Sequence, residues 1–527
     1  MDRKSFFFHA GRLFASALLL CLVLPAWTAL PASGEAPVSG DALIIGIVGE
    51  PSNLLPGLSS DSASSEVQQY LYVAPLEYDK DLQVAPFAAE SFDILDNGLV
   101  LRFVLRPGIF WEDGVELTAR DVEFTYRLMI HPDTPTAYSG DYREITSFTI
   151  LGRYSFEVRY ARPFPRSVST WTRPILPRHA LEGTDLRATP LARKPISCGP
   201  YLLKEWESGS RLILTANPAY FRGRPFINQI IYRVIPDVTT MFLELKSGEI
   251  DLIKDGMTPQ QFLYQTGAPA FTSRYAVYSE PAYAYTYLGY NLRNEFFSDI
   301  RVRRALAHAV NKQDLVKGSL FGLGIPAKGP YRPGDWAYND SLTDYPHDPE
   351  KALALLAEAG WRRGEDGILR KKGRPFTFTL LTNQGNEPRI KTAILLQSQL
   401  RKIGVEVKIR VVEWSAFLKQ FVLPGYFDAV VLGWTTGFDP DVYDIWHSSR
   451  IGGLNFIHYA NAEVDSLLEQ ARSTFDLETR KKLYGRFQEI LQQEQPYCFL
   501  YVPFALSAVN KRFRGLDPAP LGVFYNI

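Results

Sequence analysis

The chain has 527 residues, 46% hydrophobic and 22% charged, which suits a soluble globular protein of two or three domains. Lys+Arg and Asp+Glu both number 57, so neither a nucleic acid nor an anionic membrane surface is indicated as a partner. Aromatic residues make up 13%, and the excess of Tyr, 28 residues, suits a cleft with flat, amphipathic walls.

Arg3, Lys4 and Arg12 precede an apolar run from Leu13 to Leu24, followed by Pro25 and the small residues Ala29, Ala32, Ser33 and Gly34. A membrane span needs about 20 apolar residues, and Pro25 breaks this run too early. Residues 1–32 therefore read as a signal peptide, cleaved between Ala29 and Ala36, that sends the mature chain to the periplasm. Cys21 follows three Leu rather than a small residue, which argues against a lipid anchor. Cleavage removes Arg3, Lys4, Arg12 and Asp2, taking the formal net charge from 0 to −2. Cys198 and Cys498 remain, either as a disulfide or, the preferred reading, as two buried free thiols.

Beyond the leader, Asp41–Val48 is a nearly continuous apolar run and reads as a buried strand. A Pro-rich loop, Glu50–Pro56, and a helical segment over Glu66–Tyr72 follow. Leu99, Leu101, Phe103 and Leu105 alternate strictly, the pattern of a half-buried strand. Glu112 and Asp113 beside Gly114 read as a solvated turn, not a catalytic pair. Thr118 and Asp121 form a capping-box pair ahead of Val122, Tyr126 and Met129. Strands follow at Tyr201–Trp206, Arg211–Thr215 and Ile227–Ile235. Asp237 then opens a helix that Gly248 stops before another strand.

Tyr283–Leu292 is extended and Tyr-rich, after which Ser298 and Asp299 cap a helix carrying Val302, Leu306, Ala309 and Val310. Asn311 and Asp314 open the next helix, and Asp348-Pro349-Glu350 starts one that Gly360 closes. Ile394–Leu400 is helical, Val405–Val411 alternates as a strand, and Ala429–Leu432 reads as a strand covered on both faces. Two helices, marked by Val464–Ala471 and Leu483–Leu491, precede a last strand, Tyr497–Val502. Strands alternating with helices at this spacing mean α/β units.

Several of these stretches resemble motifs of one family. They are Tyr283–Lys312 (YAYTYLGYNLRNEFFSDIRVRRALAHAVNK), Ala88–Arg127, the step Ser197-Cys198-Gly199-Pro200-Tyr201, and the junction Ser247-Gly248-Glu249-Ile250-Asp251. They are similar to the extracytoplasmic solute-binding proteins of family 5, the oligopeptide, dipeptide and nickel binders of ABC importers. Departures are small: Trp111 stands where His is frequent, and Ser197-Cys198 where Gly-Thr is usual.

The resemblance, from about Asp41 to the C-terminus, implies an α/β, two-lobed periplasmic-binding-protein fold (type II, cluster C) with an extra subdomain in the N-terminal lobe. Residues 41–75, 195–282 and 497–527 would form the lobe I core, 76–194 the extra subdomain and 283–496 lobe II. The chain would cross between lobes near Tyr283–Leu292 and Pro496–Pro503, and these crossings would act as the hinge. The family pattern implies a monomer that closes on its solute and docks on a membrane permease, touching the membrane only through that permease.

Gly433–Asp441 (GWTTGFDPD) follows the Ala429–Leu432 strand, and loops at the carboxyl ends of buried strands are where α/β folds bind ligands. Gly433 and Gly437 allow close backbone approach, Trp434 offers a flat wall, and Asp439 and Asp441 offer charge, with Thr435, Thr436 and Phe438 counted beside them as ligand-binding candidates. In the peptide-binding relatives this loop supplies an Asp that pairs with the peptide's α-amino group. Here that position holds Gly437, and Asp439 comes two residues later. Asp439 either takes over from a shifted backbone or caps a turn at Pro440, in which case the ligand lacks a free amine.

The resemblance adds Tyr290 and Asn291 at the crossing, and Asn53 and Ser60 in the Pro-rich loop, as ligand contacts. It leaves Tyr285 and Tyr287 open between cleft and core. A short peptide is the expected cargo. The alternatives are a non-peptide solute, a chelated metal such as nickel, or a sensor or chaperone-like module without an importer. An enzyme is not expected: G-x-S-x-G, H-E-x-x-H, Walker and C-x-x-C patterns are all missing, and Ala327 spoils the dinucleotide fingerprint begun by Gly322 and Gly324. No cofactor is called for, and His447 and His458, the pair able to meet at a metal, read as satisfied polar residues.

Overall fold

The computed structural model describes residues 39–59, 61–136 and 138–525. The expected signal peptide, residues 1–32, and Ser60 lie outside them. Among the described residues no helix is long and apolar enough to cross a membrane.

The fold is mixed α/β and built around one twelve-stranded sheet. In chain order its strands are β1 (Gly40–Ile47), β2 (Tyr201–Glu207), β3 (Arg211–Ala216), β4 (Ile227–Val234), β5 (Leu252–Ile253) and β6 (Tyr275–Pro281). They continue with β7 (Ala284–Tyr290), β8 (Gly324–Pro326), β9 (Thr377–Asn383), β10 (Glu406–Val412), β11 (Ala429–Thr435) and β12 (Tyr497–Asn510). The spatial order is β10-β9-β11-β7-β12-β5-β1-β4-β3-β2, with β6 and β8 also paired to β12. β1 is parallel to β4 and β5, and β9 is parallel to β10 and β11.

β12 is the strand that both halves of the sheet share. Its first residues, Tyr497 to Tyr501, pair antiparallel with β7, and Phe504 to Asn510 pair with β6. Its near-continuous apolar sequence is what a strand buried on both faces requires. Beside it, Ala282 N donates to the Pro503 carbonyl at 2.9 Å, where the chain passes from β6 to β7. The change of pairing partner thus falls at Pro281–Ala284, the leading edge of the Tyr283–Leu292 stretch, because β7 itself is locked into the sheet between β11 and β12.

A separate four-stranded antiparallel sheet, in the order 89–95, 100–105, 155–160 and 145–152, lies within the segment expected as the extra subdomain. Leu101, Phe103 and Leu105 are buried while Arg102 and Val104 are exposed, the alternation read from sequence. Phe103 stacks on Phe156 at 4.7 Å, and Phe148 on Phe156 at 5.1 Å.

Helix starts follow their caps. Thr118 and Asp121 form a reciprocal capping box, and Asp237, Asp299, Asn311 and Asp348 each accept a first-turn N–H. The Ile394–Leu400 helix is longer than its apolar stripe and runs Glu387–Lys402, because Asn386 caps it earlier. β11 extends past Leu432 because Trp434 and Thr435 pair with Tyr285 and Ala284 of β7, so both belong to a strand rather than a loop.

Cys198 and Cys498 are both free and buried, which removes the disulfide alternative. They belong to different apolar clusters, Cys198 beside Tyr72 and Trp111, Cys498 beside Tyr290 and Leu500. Burial pushes both thiols up, Cys498 to about 11. Gly199 next door has no room for a side chain: a Cβ would lie 2.5 Å from the Tyr70 carbonyl oxygen and 2.6 Å from the Leu71 carbonyl carbon.

Candidate functional site

A cleft of about 1000 Å³ is lined by the Pro56–Ser59 loop, the segment around Tyr78, the β6–β7 turn, the loop after β11 and residues 520–525. That volume is at the upper end of ordinary small-molecule sites. Phe438 stands edge-on to Tyr78 and to Tyr283, each at 4.9 Å, and so occupies the middle of the aromatic wall. Thr436 N donates to the Tyr283 carbonyl at 2.8 Å, fixing the loop after β11 to the β6–β7 turn. The Tyr283 hydroxyl donates to the Pro520 carbonyl at 2.9 Å, and burial pushes that phenol up to about 12.

The charges around the cleft divide into paired and unpaired. Arg222 donates to both oxygens of Glu77, and Lys254 pairs with Glu66 at 2.8 Å. Arg332 lies 3.3 Å over the Tyr283 ring and pairs with Asp335 at 3.0 Å. Arg173 lies 4.0 Å over the Tyr138 ring, and no carboxylate among the described residues stands at ion-pair distance from it. Glu280 and Asp255 likewise have no cation at that distance among the described residues. Asp255 accepts from the Ser507 hydroxyl at 3.0 Å. Burial raises the Glu280 carboxyl above its ordinary value; Asp255 adds to this, while Arg332 and the Val523 N–H oppose it.

Of the residues expected from sequence, Thr435 and Phe438 line the cleft. Trp434 lies behind it, stacked on Phe456 at 5.9 Å with its Nε1 donating to the Tyr497 hydroxyl at 3.4 Å. At Gly437 a Cβ would meet only the Asp439 carbonyl, at 3.9 Å. Asp439 is not free for a ligand amine: both carboxylate oxygens accept from Arg480 at 3.1 Å, and Oδ1 also accepts the Asp441 N–H at 3.0 Å. Asp441 is held by Arg472 at 2.7 Å and lies 3.5 Å from Arg166, which also pairs with Asp141 at 3.1 Å.

Tyr290 and Asn291 are corrections. Tyr290 is fully buried and stacks on Phe297 at 4.9 Å, and Asn291 spends its amide on the carbonyls of Gly425 and Phe427. Asn53, half-buried, accepts the Leu55 N–H on Oδ1 at 2.7 Å, and its loop lines the cleft through Pro56, Gly57 and Ser59 instead. Tyr285 and Tyr287 belong to the core, 2% and 0% exposed. His447 stacks on Tyr443 at 4.1 Å and bonds Ser449 at 2.8 Å. Among the described residues no three His, Cys, Asp or Glu gather around a metal position.

Sequence reasoning missed Arg173, Asp255, Glu280 and Arg332. For Glu280 the one available signal was its place just ahead of the Tyr283 stretch; for Arg173 there was none.

Residues 83–453 match the family described as bacterial extracellular solute-binding proteins, family 5 Middle. The oligopeptide-binding protein AppA of Bacillus subtilis is 37% identical over 496 residues, covering 92% of this chain and 90% of that protein. The structure of AppA in complex with a nonapeptide is similar at a TM-score of 0.78 and 36% identity, over 93% of this chain and 98% of the other. NikZ from Campylobacter jejuni in complex with Ni(L-His) superposes with a TM-score of 0.79 at 29% identity, over 92% of this chain and 98% of that one.

Proposed function

Because the chain belongs to the bacterial extracellular solute-binding proteins of family 5, with their two-lobed fold, we propose that it captures a short peptide in the aromatic cleft and delivers it to the permease of an ABC importer. The observation that carries this reading is the set of charges in the cleft wall that have no ion partner among the described residues. One guanidinium, Arg173, and two carboxylates, Glu280 and Asp255, complement a ligand bearing both a carboxylate and an ammonium. Tyr78, Tyr283 and Phe438 supply amphipathic surface that tolerates varied side chains.

The lobes in this reading are the segments expected from sequence: 41–75, 195–282 and 497–527 with the inserted 76–194 on one side, and 283–496 on the other. The hinge is then the pair of adjacent strand passages tied together by the Ala282–Pro503 hydrogen bond. Contacts of Phe438 with Tyr78, and of Arg166 with both Asp141 and Asp441, favour the closed form, to which a ligand touching both lobes adds its differential affinity.

A second reading, a chelated metal or other non-peptide solute, draws on the likeness to NikZ and on Arg173, which suits a chelator's carboxylate as well as a peptide's. Native mass spectrometry of gently purified mature protein, with the released ligand identified, separates the two. A spread of short peptides supports the first reading, whereas a single non-peptide or metal-bearing mass overturns it in favour of the second.

A further inference from the structure

We propose that Glu280, at the end of β6, is the ammonium anchor of the cleft, in place of any carboxylate on the loop after β11; this rests on the peptide reading above. The loop offers no usable anion. Gly437 has no side chain, both oxygens of Asp439 are held by Arg480, and Asp441 is held by Arg472 with Arg166 close by. Glu280 is different on each count: it is part of the cleft wall, half-buried, and without a cation at ion-pair distance among the described residues.

Arg332 is the guanidinium that influences Glu280 most directly, yet its donors are engaged elsewhere. Its Nε donates to Asp335, one terminal nitrogen donates to the Pro281 carbonyl, and the other lies 3.4 Å from the Pro520 carbonyl. With its face stacked on Tyr283 and its ion pair made to Asp335, it forms no ion pair with Glu280. Asp255 adds a second negative charge to the same wall while its own Oδ1 accepts from Ser507. A half-buried carboxylate in that setting gains more from an ammonium than one already paired, because part of its hydration is already lost.

The position also fits a zwitterion. Phe438 touches both Tyr78 and Tyr283, and Arg173 and Glu280 line the same cleft as these rings, offering a guanidinium and a carboxylate to one ligand.

The test is affinity selection from an equimolar library running from dipeptides to nonapeptides, each with a free and an N-acetylated amino end, using wild type, Glu280→Gln, Glu280→Asp and Asp439→Asn. Wild type should prefer free amines by roughly tenfold or more, the scale of a charge-assisted contact. E280Q, which keeps an acceptor for the Val523 N–H, should lose that preference while holding acetylated peptides as before. E280D and D439N should keep it. A preference that survives E280Q, or disappears in D439N, overturns the assignment. Wild type that binds peptides without regard to the free amine overturns it too, and leaves the peptide reading standing. Wild type that takes up no peptide overturns both.

Discussion

Replacing Asp439 with Asn should lower stability and leave ligand affinity nearly untouched. Asp439 and Arg480 have side chains 20% and 10% exposed, and both Asp439 oxygens lie 3.1 Å from the same guanidinium nitrogen. A hydrogen bond to a charged group contributes about 1.5–3 kcal/mol. Asn keeps one carbonyl oxygen for the Asp441 N–H and for Arg480, so the loss is the charge and one acceptor. The exposed fifth of Asp439 lets water replace part of this, and Arg480 keeps its place over the Trp336 ring at 5.1 Å. About 2 kcal/mol of destabilisation results, less than the 3–5 kcal/mol typical of breaking a fully buried pair. Urea titration should show a lower midpoint at an unchanged slope. Calorimetric titration with a peptide recovered from the wild type should change by less than about twofold, on the RT ln K scale. An unchanged midpoint with a tenfold or greater loss of affinity would refute the structural role and make Asp439 a ligand contact.

Arg173→Gln should weaken peptides with a free C-terminal carboxylate by about tenfold or more, on the scale of one charge-assisted hydrogen bond, and spare C-terminally amidated ones; equal loss for both would remove Arg173 from carboxylate recognition. Gly199→Ala should cost about 2 kcal/mol or more, since its methyl group would press on backbone rather than on a yielding side chain, and an unchanged denaturation midpoint would contradict that close approach. Cys198 and Cys498 should resist thiol reagents in the native mature protein, because burial disfavours the thiolate, and both should titrate after denaturation without reductant. Fast native labelling, or fewer than two thiols on unfolding, would rule this out.

What was legible in the sequence is what depends on near neighbours. Thr118 with Asp121, or Asp237 before Val238, announces a helix start because the cap and the N–H it satisfies lie within three residues. Gly199 belonged to a recognisable motif, and the structure adds the reason, the backbone of Tyr70 and Leu71 against its Cα. The cleft was legible only in part because its walls come from segments as far apart as Pro56 and Tyr525. Whether a carboxylate is free is likewise a distant property: Asp439 is occupied by an arginine 41 positions further along the chain. Tyr290 and Asn291 misled for a related reason. A motif that recurs at a lobe crossing is explained here by packing and by two carbonyls needing a donor.

The last strand of the sheet to leave the ribosome is also one of its middle strands. Along the pairing path, β12 alone connects β10-β9-β11-β7 to β5-β1-β4-β3-β2, so neither block gains its partner on that side until Tyr497–Asn510 has been made. Pairing of β7 and β5 with their shared neighbour therefore waits on closure of very long loops, which slows folding. The join between the two blocks is thus the last part of the sheet to form, whatever each block has already paired within itself.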